Sequence, residues 1–181
     1  MKKFELTNEF ITNMFGTKLF RIRALVEFGD VEAGELGGYV EKESNLGHDD
    51  NAWVYDNAWV YGNALVYGDA QVSGDALVYG NARVYGNALV YDNAWVYGNA
   101  RVCGDARVCG NGDYAYAHGF GSVNRTTTFF RLKDGGVGVR CGCFYGTLAQ
   151  FRDKIRETHG ETKKAQEYLM LADLMKLRFE K

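Results

Sequence analysis

From Val54 onward an apolar residue returns at every sixth position, as valine at 54, 60, 66, 72, 78, 84, 90, 96, 102 and 108. Alanine stands two places before each valine, from Ala52 to Ala106. A Gly-Asn, Gly-Asp or Asp-Asn pair separates successive units, and the positions flanking each valine vary. A period of six matches neither the 3.6 of a helix nor the 2 of a hairpin strand. It matches a coiled β-solenoid, in which each unit supplies one short strand and one corner. Valine then fills the interior from the middle of the strand. Alanine points inward beside the corner, where nothing larger fits. The glycine, asparagine and aspartate pairs form the corners, because they tolerate the left-handed backbone region.

The phase extends beyond the perfect units. Val40 and Leu46 are six apart, whereas Leu46 and Val54 are eight apart, which predicts a two-residue corner insertion around His48–Asp49. The phase continues in decayed form at Tyr114 and Phe120. The ten residues YDNAWVYGNA occur at 55–64 and again at 91–100, an offset of 36. Two turns of an eighteen-residue, three-strand coil explain that offset, although two- or six-unit turns also allow it. Before the coil, Lys18 to Phe28 reads as one or two strands. After it, Thr126–Leu132 and Val137–Phe144 flank a Lys133-Asp134-Gly135-Gly136 turn, which predicts a β-hairpin. Thr147-Leu148-Ala149-Gln150 is a capping box opening a helix to His159, ended by Gly160. A second helix is expected from about Glu161 to Phe179, with Ala165, Tyr168, Ala172, Met175 and Phe179 at heptad spacing. Its apolar stripe is expected to pack on the hairpin or on a sister subunit. The domain plan is therefore N-terminal cap strands over 1–35, the coil over 36–123 and a hairpin with two helices over 124–181.

The V-x-G-[ND]-A-x unit resembles the hexapeptide repeat of left-handed parallel β-helix proteins. The lead-in RIRALVEFGDVEAGELGGYVEKESNLGHDDNAWVYDNA is similar to the entry of YdcK-like β-helix proteins of bacteria and prophages. The stretch TTTFFRLKDGGVGVRCGCFYGTLAQFRDKIRETHG resembles a module of phage and prophage proteins from Gram-positive bacteria. The resemblance implies a mainly β fold: a left-handed parallel β-helix with three short strands per turn, followed by a β-hairpin and two α-helices. The left hand is implied by the resemblance alone, since parallel crossovers are otherwise right-handed.

Composition adds exclusions. The formal net charge of −2 over 181 residues gives no global pull towards nucleic acid or an anionic membrane. The start, MKKFELTNEFITNMF, is too polar for a signal-peptide core, and no apolar run approaches a membrane span of ~18–20 residues. A cytoplasmic protein is expected, in the host cytoplasm if phage encoded. The four cysteines lack metal-site spacing. Cys103 and Cys109 belong to neighbouring units, on different faces of a three-sided coil, which argues against a disulfide. No cofactor and no metal are expected. Proline is absent, as suits a chain with few stiff irregular turns.

Three outward faces follow from an eighteen-residue turn. One carries Trp59, Tyr61, Leu77, Tyr79, Trp95 and Tyr97, with no charge among them. A second carries Trp53, Tyr55, Gln71, Ser73, Leu89, Tyr91, Arg107 and Cys109. The third carries Leu65, Tyr67, Arg83, Tyr85, Arg101 and Cys103. An uncharged aromatic face exceeds what monomers usually expose and reads as an interface, with cover by the C-terminal segment or simple stacking as the alternatives. Tyr168, Met175 and Phe179 of the last helix are counted with it as interface residues. Arg83, Arg101 and Arg107 are anion-binding candidates.

Three function classes follow. The first is a non-enzymatic solenoid that self-associates as a dimer or trimer and binds a macromolecule. The phage resemblance implies a host protein as that partner, with inhibition of a host defence system as one such role. The second is an acyl-CoA-dependent acyltransferase of the hexapeptide-repeat class, in which a histidine between subunits serves as general base. His48, in the corner insertion, and His118, in YAYAHGFGS, are the catalytic candidates for this class; His159 reads as a helix cap. The third is a sponge that captures a small nucleotide along Arg83 and Arg101.

Overall fold

The computed structural model describes residues 2–121 and 123–180. The chain opens with an antiparallel hairpin of β1 (Phe4–Thr12) and β2 (Lys18–Ala24), and β2 pairs with β3 (Leu36–Val40). Ten strands of two residues follow, one per hexad. They are β4 (Trp53–Val54), β5 (Trp59–Val60), β6 (Leu65–Val66), β7 (Gln71–Val72), β8 (Leu77–Val78), β9 (Arg83–Val84), β10 (Leu89–Val90), β11 (Trp95–Val96), β12 (Arg101–Val102) and β13 (Arg107–Val108). Each of the first seven pairs in parallel with the strand eighteen positions on: Trp59 lies opposite Leu77, Leu65 opposite Arg83, and Gln71 opposite Leu89. The turn is therefore three units, and the coil has three sheets. At its entry Tyr39 pairs with Trp59 and Leu46 with Val66, each twenty positions apart. The two extra residues sit in the corner after Leu46, as the slipped period predicts.

The interior is a column of valine and alanine. Every valine from Val54 to Val108 has no exposed surface, and the alanines from Ala52 to Ala106 have at most 1 %. Burying one such valine contributes ~1.5–3 kcal/mol. At the corners the backbone leaves no latitude. Gly68 sits at φ +71°, and a β-carbon there would stand 2.9 Å from the amide nitrogen of Gly86 in the next turn. Asp56 and Asp92 take the equivalent corner position at φ 52° and 55°. The Asp56 carboxylate offsets that strain by accepting the amide of Gly74 at 3.1 Å.

Both ends of the column are closed. At the entry, Phe4, Ile22 and Val31 continue the core, and Trp53 is fully buried. The register of the repeat alone turns Trp53 outward. It is instead covered by Phe4 and Phe28, whose rings meet it edge-on at 6.1 and 5.3 Å. Asn45 is also fully buried, and its amide donates to the carbonyls of Gly62 and Ala64 at 3.1 and 2.8 Å.

At the exit, each of the three last strands needs an acceptor for an amide that has no further turn to bind. Asn111 Oδ1 accepts from Trp95 at 2.8 Å, Thr128 Oγ1 from Arg101 at 2.9 Å, and Asp113 Oδ2 from Cys109 at 3.1 Å. These side chains stop strand edges that would otherwise template further pairing. Tyr114 keeps the interior phase and, with Phe130, closes the column. The decayed hexads after it are not another turn, however. Tyr114–Phe120 is a strand, β14, antiparallel to β15 (Arg125–Arg131). The expected hairpin is thus a four-stranded antiparallel sheet, completed by β16 (Val137–Cys141) and β17 (Phe144–Thr147).

Thr147 caps α1 (Leu148–His159) through the predicted capping box, with Gly160 at its C-terminus. Helix α2 (Lys163–Phe179) buries Ala165, Tyr168, Ala172, Met175 and Phe179. They pack with Phe129, Val139, Phe151 and Ile155 in a second core. Tyr168, Met175 and Phe179 are therefore occupied within their own chain. Their heptad stripe faces the sheet, not a sister subunit. All four cysteines are free thiols, and Cys103 and Cys109 flank strands of different sheets. No described helix is long and apolar enough to cross a membrane.

Candidate functional site

Strands β5, β8 and β11 of the sheet β1-β2-β3-β5-β8-β11 present the uncharged face, bordered at β2 by Arg21, whose guanidinium lies 5.2 Å over the ring of Tyr39. Tyr39, Trp59, Leu77 and Trp95 lie in register as one row. Tyr61, Tyr79 and Tyr97 form the parallel row, with ring centroids 5.1 and 5.3 Å apart and interplanar angles of 3° and 15°. Stacking covers the inner rungs, and burial holds the phenols of Tyr61 and Tyr79 above the usual tyrosine range. The outer rung is open: Trp95 is 47 % and Tyr97 41 % exposed. The C-terminal sheet sits against the end of the coil and leaves this rung uncovered. On the side away from Tyr79, Tyr97 meets the edges of Tyr114 and Tyr116, at 6.4 and 6.2 Å. A concavity of about 500 Å³ opens there, between Trp95, Tyr97, Tyr116 and Arg178. A second, of about 320 Å³, lies along the same face beside Ile11, Trp59 and Leu77.

The third face forms a different surface. Arg83 and Arg101 pair directly in register on β9 and β12. With His118 of β14 and Arg125 of β15 they line a concavity of about 510 Å³. His118 Nδ1 lies 2.9 Å from Thr126 Oγ1. Arg107 is elsewhere, on the β4-β7-β10-β13 sheet, where its guanidinium donates to the carbonyls of Asn87 and Ala106. It is a corner brace and takes no part in this concavity.

His48 is placed in the entry cap. Its ring stacks on Phe4 at 4.5 Å, and its Nδ1 accepts the backbone amide of Lys3 at 3.2 Å. The imidazole is thereby tied to structural partners at the opposite end of the coil from His118. Among the described residues, no cluster of histidine, cysteine and carboxylate side chains is arranged to hold a metal ion.

Arg125 was not readable from the sequence as part of any site. The repeat pattern ends before it, and only the docking of β15 on the last coil turn brings it beside Arg101. Asn111 and Arg178 at the open rung are equally unmarked, since both lie outside the hexads.

Comparison with known families agrees with the geometry. Three overlapping segments, 58–74, 70–84 and 82–98, match the YdcK β-solenoid repeat. No curated protein matches the chain in sequence. Residues 58–98, with eighteen residues per turn and valine and alanine inside, are thus β-solenoid turns similar to the YdcK repeat.

Proposed function

We propose that this protein is a non-enzymatic β-solenoid scaffold that pairs with a second copy through its aromatic face and binds a macromolecular partner. The exposure of Trp95 and Tyr97 at the open end of an uncharged aromatic ladder carries this reading. Two copies of one coil share one rung spacing, so the rows of one fit the furrows of the other under two-fold symmetry. Large aromatics with no charge among them are the composition of an interface centre. The placement of His48 supports a non-enzymatic role. The base that an acyltransferase would need there is stacked on Phe4 and bonded to Lys3. The resemblance to phage and prophage proteins supports a host protein, such as a component of a defence system, as the macromolecular partner. Solution mass as a function of concentration, compared with Trp95→Arg, tests the pairing. Capture from host lysate by the wild-type protein and the same variant tests the partner.

A further inference from the structure

We infer that the concavity between the third face and the C-terminal sheet is a binding site for a small polyphosphate anion, held by Arg83, Arg101 and Arg125 with His118 at its rim. The site is independent of the aromatic face, which lies on a different sheet.

The first observation is charge placed where it costs stability. Arg83 and Arg101 are directly opposite on neighbouring strands, and like charges in that relation repel. Arg125 then adds a third cation from another domain. Among the described residues none of the three lies within ion-pair distance of a carboxylate, although five other arginines in the chain do. This concentration is local, since the whole chain carries a formal charge of −2.

The second observation is the corner beside the site. The corner ladder of Asn51, Asp69, Asn87 and Asp105 carries two carboxylates. The ladder that borders the concavity is Asn63–Asn81–Asn99, joined amide to amide at 3.3 and 3.2 Å. Asn81 and Asn99 line the site, so its wall offers neutral polar groups and no competing anion.

The third observation is that the site is built from two parts fixed to one another. The Arg101 amide is bonded to Thr128 of β15, which sets β12 against the strand that carries Arg125. The Arg125 guanidinium lies on the backbone of Gly142, where a β-carbon would collide with it. Its position over the cleft therefore depends on that glycine.

These features select the ligand. Guanidinium groups bind phosphate oxygens in charge-assisted, bidentate fashion. Three of them around about 510 Å³ exceed what a single phosphate can engage, and fit a chain of two or three. Among the described residues the lining has no large apolar wall to hold a base, so recognition falls on the phosphates. These can be free, or carried on a nucleotide whose base stays outside.

Titration calorimetry and thermal shift with sodium tripolyphosphate, ATP, orthophosphate and a single-stranded oligonucleotide test the site. Tripolyphosphate is expected to bind one per chain, more tightly than orthophosphate and more weakly as salt rises. Equal affinity for ATP identifies the phosphates as the whole recognition element. Tighter binding of ATP identifies a nucleotide as the natural carrier. Arg101→Gln and Arg125→Gln should each weaken binding by about tenfold or more, the scale of one lost charge-assisted contact. Arg83→Gln, on an exposed position, repeats the test where folding is not at stake. Arg107→Gln should bind as wild type. Absence of tripolyphosphate binding at millimolar concentration, binding indifferent to Arg125→Gln, or binding of the oligonucleotide alone would overturn the inference.

Discussion

The ammonium of Lys3 donates to the carbonyl oxygen of Ala52 at 2.8 Å, across forty-nine positions of sequence. Its second acceptor is the carbonyl of Asp50, at 3.0 Å, and it stands 4.5 Å over the ring of Phe28. This one side chain fastens the entry cap to the first coil corner.

Lys3 gives the cap a pH signature. Burial pushes its ammonium down to about 8, against the opposing pull of Asp50, Asp49 and Asp69. A free lysine titrates at about 10.4. Between these values the unfolded chain holds a proton that the folded chain has released, so the contribution of Lys3 to stability rises with pH across that window. The unfolding free energy of the wild type minus that of Lys3→Met should rise by about 1–2 kcal/mol from pH 7.5 to 10. Parallel denaturant titrations measure it. A value that stays flat or falls contradicts the placement of this ammonium.

The coil interior should respond asymmetrically to size. Val84→Ala removes two buried methyl groups and leaves a void, at a cost of about 2 kcal/mol. Ala82→Leu, two positions away and equally without exposed surface, forces bulk against a corner that cannot yield. It should cost about 3 kcal/mol or prevent folding. Urea midpoints of the two variants give the comparison, and a milder effect for Ala82→Leu would mean that the corner is not packed as described.

Thr128 is buried, and its hydroxyl is the acceptor for the Arg101 amide at the last rung of one sheet. Thr128→Val keeps the shape and removes the acceptor. The orphaned amide should lower stability by about 1–3 kcal/mol. It also frees a strand edge, so thioflavin-positive assembly should be faster than for wild type. Unchanged stability and unchanged assembly would show that the edge is stopped by other means.

The coil is legible in the sequence because its constraints repeat. A valine, an alanine and a turn pair every six residues leave one packing solution, and the helix caps at Thr147 and Gly160 are local signals of the same kind. What closes the coil is not periodic, and so is invisible to spacing. The segment NAWVY occurs at 51–55, 57–61 and 93–97. Its tryptophan is fully buried at Trp53, half-buried at Trp59 and exposed at Trp95. The difference lies in strands and loops remote in sequence, with Phe4 and Phe28 over the first and no cover over the last. The basic concavity has the same character. Arg83 and Arg101 are visible as one face of the repeat, but Arg125 joins them only because β15 docks on the final rung. The heptad stripe of the last helix was legible as apolar, whereas its partner, the chain's own sheet, depended on a strand hidden in the decaying hexads.

Self-association through the aromatic face is tested most directly by sedimentation equilibrium of the full chain and of Trp95→Arg at micromolar concentration. The account predicts a dimer for the wild type and a folded monomer for the variant, with the circular dichroism spectrum unchanged because Trp95 is already half in water, and with the wild type's melting temperature alone rising with protein concentration. A monomeric wild type, or an assembly that survives Trp95→Arg intact, would contradict it.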